Sequence, residues 1–230
     1  MIVGAAARDA IGCRRPLPRL HLVTDDGILS AASFSATARS LIEHCGAELA
    51  LHLRGHATPA ARLHAAADTL AAAAAASGAT LFVNDRIDIA IAAGTDVQLG
   101  ARSLPPAAAR ALIGAGACIG YSAHAVAEAI RAAEDGADFV IVGTIWSSAS
   151  HVGRAPAGVD VARECAGAAG VPVLGIGGVT PDRMNELAAA GAHGAAVLSG
   201  VWRAADPAAA ALEYVAAARS AWTAGRGQQE

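Results

Sequence analysis

The stretch "ELALHLRGH", Glu48 to His56, sets His52, Arg54 and His56 on alternate residues of an otherwise apolar run. In an extended strand, residues two apart point to the same side. The three polar side chains therefore share one face, and Leu51, Leu53 and Gly55 share the other. That polar face is either solvated or lines a site. A metal held by His52 and His56 is disfavoured, because Arg54 between them repels a cation.

Four other stretches carry residues suited to chemistry. "FVNDRIDIA" (82 to 90) ends an apolar run with Asn84, Asp85 and Arg86. Asn84 can donate to a ring or phosphate and Asp85 can ligate a metal or act as a base; equally, either can cap the following helix. "GYSAHAVAEA" (120 to 129) brings Ser122 and His124 to a strand end. There His124 is the default proton shuttle, or the pair is only a cap, Ser122 with Glu128 or His124 finishing the turn. "GIGGV" (175 to 179) and "LSGVW" (198 to 202) together read as a phosphate site. Gly177 and Gly178 let the backbone approach a ligand, while Leu198, Ser199 and Gly200 lead into a short segment whose amides can donate. "GTIWSSASHVGRAP" (143 to 156) is a polar loop, either solvated or a lid. Its Thr144, Ser147, Ser148, Ser150 and His151 can face an anionic ligand.

The elements that must position these residues alternate along the chain. Strand patterns fall at 20 to 24, 49 to 54, 80 to 84, 96 to 100, 118 to 122, 139 to 143, 171 to 176 and 194 to 199. Helical patterns fall between and after them, at about 31 to 44, 57 to 77, 86 to 93, 105 to 114, 123 to 135, 157 to 169, 180 to 190 and 207 to 222. Eight β-then-α units predict an α/β protein with a (β/α)8 TIM barrel. A doubly wound sheet is the runner-up, but the first unit has no GxGxxG. The expected organisation is an N-terminal tail over 1 to 18, one barrel domain over 19 to 222 and a C-terminal tail over 223 to 230. In a barrel, loops at the carboxyl ends of the strands build the site, and the polar residues and glycines above gather there.

Composition narrows the chemistry. All 17 basic residues are arginine, so a Schiff-base lysine is excluded. Arginine, histidine and backbone amides remain as anion binders. The net charge of -3 and the lack of a basic run argue against nucleic acid as a partner. No apolar window reads as a membrane span and the N-terminus lacks the pattern of a signal peptide, so the expected location is the cytoplasm. Cys13, Cys45, Cys118 and Cys165 show no CxxC and are expected as buried, reduced thiols.

In order, "LHLVTDD", "LHLRGH", "FVNDRIDIA", "VQLGARSL", "IGYSAH", "GADFVIVGTIW", "VPVLGIGGVTPDR" and "GAHGAAVLSGVW" resemble the thiamine phosphate synthase and TenI superfamily over residues 19 to about 218. The resemblance implies a (β/α)8 barrel acting on a small thiazole phosphate, with no membrane partner; assembly as a homodimer is left open. It implies one of two activities. The synthase joins a hydroxymethylpyrimidine diphosphate to a thiazole phosphate with Mg²⁺, releasing diphosphate. The TenI-type tautomerase aromatises a carboxythiazole phosphate by moving a proton, and needs no cofactor.

Matched to the family, Gly178 and Ser199 fall on thiazole-phosphate binders, Arg54, Asn84 and Asp85 on the synthase's diphosphate and metal side, and His124 on the TenI acid/base histidine. Departures lie on the diphosphate side. The pattern "QLRxK" reads "HLRGH", so His52 replaces Gln and His56 replaces Lys; Ser103 stands where a second metal-binding Asp is expected; His151 aligns with another Lys. About three charged contacts are lost, each worth about 1.5 to 3 kcal/mol. The expectation is therefore a thiazole tautomerase. In it Gly177, Gly178, Ser199 and Gly200 seat the phosphate, His124 shuttles the proton, and Arg54 helped by His52 faces the substrate carboxylate. The alternatives are a synthase with Mg²⁺ on Asp85, and a non-catalytic thiazole- or thiamine-phosphate binder.

Overall fold

A computed structural model describes residues 13, 15–147 and 155–224. Eight parallel strands close into a barrel in chain order. They are β1 (Leu20–Val23), β2 (Leu49–Leu53), β3 (Thr80–Asn84), β4 (Asp96–Leu99), β5 (Ile119–Ala123), β6 (Phe139–Gly143), β7 (Val173–Ile176) and β8 (Gly194–Val197). The helices are α1 (Asp26–Ser30), α2 (Phe34–Cys45), α3 (Ala60–Ser77), α4 (Ile87–Ala93), α5 (Pro106–Ile113), α6 (Val126–Glu134), α7 (Val159–Ala168), α8 (Met184–Ala189), α9 (Ser199–Trp202) and α10 (Pro207–Ala224). β8 closes on β1, pairing Ala195 with Leu20 and Val197 with Leu22. The (β/α)8 expectation is met.

Period-two alternation separates the barrel's two faces. Leu49, Leu51 and Leu53 pack outward with Leu41, Ile42, Leu63 and Leu70 of the helices. The intervening residues point inward, where Ala50, Ala196 and Leu174 sit with Phe82 and Phe139. Small alanines on two strands make room for rings on the others, so the interior fills as a packed core and not a pore. His52 stacks on Phe82 with ring centroids 4.5 Å apart, and His21 lies edge-on to Phe139 at 5.4 Å.

Three local features differ from the periodicity. β8 stops at Val197, and Ser199 opens α9, because the amides of Val201 and Trp202 fold back onto the Leu198 carbonyl. α1 follows β1 directly, capped by Asp25, whose Oδ1 accepts from the Ile28 amide at 2.8 Å. Cys13 and Cys118 form a disulfide with Cα atoms 4.3 Å apart, correcting the expectation of four reduced thiols; Cys45 and Cys165 are free and buried. That bond joins the segment before β1 to the amino end of the barrel. The Leu17 carbonyl adds a hydrogen bond there from His193 Nε2 at 2.9 Å. Among the described residues, no helix is long and apolar enough to cross a membrane.

Candidate active site

The carboxyl ends of the strands surround a cavity of about 540 Å³. On the β2 to β4 side it is lined by His52, Arg54, His56, Asn84, Asp85 and Arg102. Across the mouth it is lined by Ser122, His124 and Thr144, and by Gly177, Gly178, Leu198, Ser199 and Gly200. The structure thus brings together the site residues expected from sequence except Ser147, which does not line the cavity, and Ser148, Ser150 and His151, which lie outside the described residues.

Gly177 and Gly178 have φ of 99° and 63°, which L side chains rarely adopt. They also permit the β7 turn to lie against the loop after β6. A Cβ on Gly178 would stand 2.6 Å from the Ser147 carbonyl oxygen, and one on Gly177 would stand 2.4 Å from Thr144 Cγ2. The two loops are further joined by Ile145 and Trp146 amides donating to the Ile176 and Gly177 carbonyls. Arg183 clamps the pair from outside, donating to the Gly178 carbonyl at 2.5 Å with its guanidinium 5.0 Å above the Trp146 ring. Gly178→Ala therefore both strains the turn and parts the loops. Its expected effect is a loss of roughly tenfold or more in inorganic phosphate affinity by calorimetry; unchanged affinity would remove this turn from the anion site.

The backbone of His124 closes the turn into α6 while its ring faces the cavity. Its backbone amide is capped by Glu128 Oε2 at 2.8 Å, while ring Nδ1 faces the Gly143 carbonyl at 3.0 Å. A carbonyl only accepts, so Nδ1 carries the proton and Nε2 is left as the basic nitrogen. Ser122, by contrast, is engaged sideways, accepting from Gln98 Nε2 at 3.0 Å.

His52 is placed deeper than the expectation, which had it beside Arg54 facing a carboxylate. It is fully buried beneath the cavity, with Nε2 2.7 Å from His21 Nδ1, and His21 Nε2 lies 3.2 Å from the Pro18 carbonyl. The carbonyl can only accept, so His21 donates from Nε2 and accepts at Nδ1; His52 in turn donates from Nε2. His52 Nδ1 is thereby a lone pair. Burial pushes His52 down to about 3, partly opposed by the Asn84 amide, and burial followed by the charge of His52 pushes His21 well below the usual imidazole range. Both are neutral near pH 7, which takes His52 out of proton transfer. His52 Nδ1, Asn84 Oδ1 and Gln98 Oε1 are buried without hydrogen-bond partners, on three adjacent strands. These acceptors lie just beneath the cavity floor.

The β2 and β4 loops form a cationic rim. Arg54 Nη2 lies 2.6 Å from His56 Nε2, and Arg102 Nη2 lies 3.0 Å from His56 Nδ1. β2 ends at Leu53, so the strand alternation stops short of His56. That residue is held in its loop by Asp26, whose carboxylate accepts from the His56 and Ala57 amides and the Thr58 hydroxyl. The Thr58 bond is the main cause of the lowered proton affinity of Asp26. Desolvation, then Arg54 and Arg102, lower that of His56. Arg102 carries no local sequence signal, because its contact with His56 forms across 46 residues.

Asp85 has φ of 63°, and its Oδ1 accepts from the Ser103 hydroxyl. Among the described residues it makes no ion pair with a cationic side chain. Among those residues, the grouping of three or more ligand atoms close enough to share an ion is Cys13, Cys118 and Asp138, at the other end of the barrel. Mg²⁺ takes oxygen ligands and is commonly held by one or two carboxylates plus substrate phosphates. Asp85 and Ser103 are oxygen donors of that kind, so the residues fit a Mg²⁺ that shares its coordination with a phosphate ligand.

Residues 20–201 match the family model described as thiamine monophosphate synthase. A thiamine-phosphate synthase of Methanoculleus marisnigri is 37% identical over 206 residues, covering 87% of this chain and 97% of the relative. A thiamine biosynthesis bifunctional protein of Symbiobacterium thermophilum is 46% identical over 136 residues, 58% of this chain, which spans only 28% of that larger protein. Among solved structures, a thiamine phosphate pyrophosphorylase from Pyrococcus furiosus superposes with a TM-score of 0.77 at 25% identity, covering 93% of this chain and 98% of that one. With the match spanning nearly the whole barrel, the chain belongs to the thiamine monophosphate synthase family.

Proposed function

We propose that the protein is a thiamine phosphate synthase, joining a hydroxymethylpyrimidine diphosphate to a thiazole phosphate and releasing diphosphate. The observation that carries this reading is the pair of anion-binding ends on opposite sides of one cavity: the Arg54, His56 and Arg102 rim, and the turns of Gly177, Gly178, Ser199 and Gly200. Two phosphorylated substrates need two such ends. The acceptors just beneath the floor add support, because the aminopyrimidine ring carries an N–H donor whereas a thiazole ring does not. The relatives of similar length that are named synthases support it further.

The tautomerase expectation rested on a diphosphate side that had lost two lysines and one metal-binding carboxylate, and Arg102 beside Arg54 weakens that premise. It stays as a second reading on one observation, the basic Nε2 of His124 at the cavity wall.

In the synthase reaction the bond from the pyrimidine methylene to diphosphate breaks, diphosphate leaves with the electron pair, and the thiazole nitrogen bonds to the methylene carbon. His52, Asn84 and Gln98 orient the pyrimidine, and the glycine turns hold the thiazole phosphate in line with it. Arg54 and His56 face the leaving diphosphate. Asp85 and Ser103 would hold Mg²⁺, which when bound neutralises charge on the leaving group.

Incubating purified protein with both substrates and Mg²⁺ should yield thiamine phosphate and diphosphate in equal amounts. Isomerisation of carboxythiazole phosphate without thiamine phosphate would replace this reading with the tautomerase. Ligand binding with neither product would replace it with a binding protein.

A further inference from the structure

The rim around His56 has more donors than acceptors. Guanidinium nitrogens only donate, yet one faces each ring nitrogen of His56, from Arg54 at 2.6 Å and from Arg102 at 3.0 Å. A neutral imidazole has a single acceptor, so one of the two contacts sets N–H against N–H. Protonating the ring leaves no acceptor at all. Nearby carboxylates do not relieve the mismatch. Asp26 is committed to the His56 and Ala57 amides and the Thr58 hydroxyl, and Asp85 to the Ser103 hydroxyl. Among the described residues, neither Arg54 nor Arg102 has a salt bridge.

An oxyanion placed between the guanidiniums supplies the missing acceptors. Guanidinium groups meet phosphate oxygens in paired, charge-assisted hydrogen bonds, and a diphosphate has oxygens enough for both arginines and the ring. The two carboxylates at this end, Asp85 and Asp26, are both engaged by other donors, so the guanidiniums keep unmet hydrogen-bonding capacity before any metal arrives. We infer that Arg102, with Arg54 and His56, forms a clamp that binds diphosphate without a divalent cation. Mg²⁺, when bound, would supply charge neutralisation for the leaving group, but the clamp holds diphosphate without it. The assignment of diphosphate as a leaving group rests on the synthase reading; the clamp itself does not.

The test is calorimetric titration of the full chain with inorganic pyrophosphate in EDTA, run beside the product assay. Wild type should bind without metal, with affinity falling as salt rises. Arg102→Gln should bind about tenfold to a hundredfold more weakly, and Arg102→Lys should recover part of the loss. Arg102 is exposed on its loop, and thermal melts of each variant report whether the fold survives. Pyrophosphate binding only in the presence of Mg²⁺, or equal binding by Arg102→Gln, would overturn the clamp even if thiamine phosphate is formed. Metal-free binding that depends on Arg102, without thiamine phosphate formation, would uphold the clamp and remove the synthase reading.

Discussion

Asp85→Asn is expected to lower the rate of thiamine phosphate formation by about 10²- to 10³-fold while leaving the fold intact. Asparagine is the informative substitution because of the backbone. Asp85 sits at φ of 63°, a conformation that Asn and Asp tolerate and that costs other L residues about 1 to 2 kcal/mol. Alanine would therefore mix backbone strain with loss of the carboxylate. Asn keeps the turn and an acceptor for the Ser103 hydroxyl, and removes only the negative charge that would hold a divalent ion. Initial rates over a Mg²⁺ series, with thermal melts as the control, decide the matter. A variant with the wild-type rate and Mg²⁺ dependence would exclude Asp85 as the metal's carboxylate.

The buried imidazole pair should make the protein lose stability in mild acid. In the unfolded chain His21 and His52 titrate near the model value of 6.5; in the folded chain burial holds His52 at about 3 and His21 well below its usual range. Between those values the unfolded state binds more protons, so stability rises with pH. The contribution is fully present above about 6.5 and is lost progressively as pH falls toward 3. For His52 the slope approaches about 1.4 kcal/mol per pH unit, so two units of acidification remove roughly 2 to 3 kcal/mol, and His21 adds a loss of the same sign. Domain stabilities are commonly about 5 to 15 kcal/mol, which makes this a large fraction. Replacing both residues, His21→Phe with His52→Leu, exchanges the polar pair for apolar side chains among Phe82 and Phe139. Urea unfolding at pH 6.5 and 4.5 should show a markedly smaller acid loss in the double variant. His193, lowered by burial to about 4, is present in both proteins and leaves each a residual acid loss. Parallel losses would show that the pair does not stay neutral in the fold.

The same histidines show how far the sequence could be read. Alternation in "LHLRGH" correctly put His52 inside and Leu51 and Leu53 outside. It did not reveal that His52 is sealed under the cavity, because its partner His21 lies 31 residues earlier on a neighbouring strand. Arg102 is a similar case. It reaches His56 from 46 residues away through the curvature that brings the β2 and β4 loops to one rim. Within "LGARSL" nothing local distinguishes Arg102 from an ordinary surface arginine. The Cys13 and Cys118 pair spans 105 residues and leaves no spacing pattern to recognise.

By itself the sequence determined the strand and helix order, the inward face of each strand and the concentration of polar and glycine residues at one end of the barrel. These follow from periodicities of two and 3.6 residues and from local turn chemistry, all of which act over a few residues. Only the tertiary structure decided which inward residues meet: the His21–His52 pair, the three unpaired acceptors on β2, β3 and β4, and the Arg54–His56–Arg102 rim. Those contacts depend on strand register and barrel closure, which are set by packing among residues far apart in the chain and are therefore not written in any local pattern.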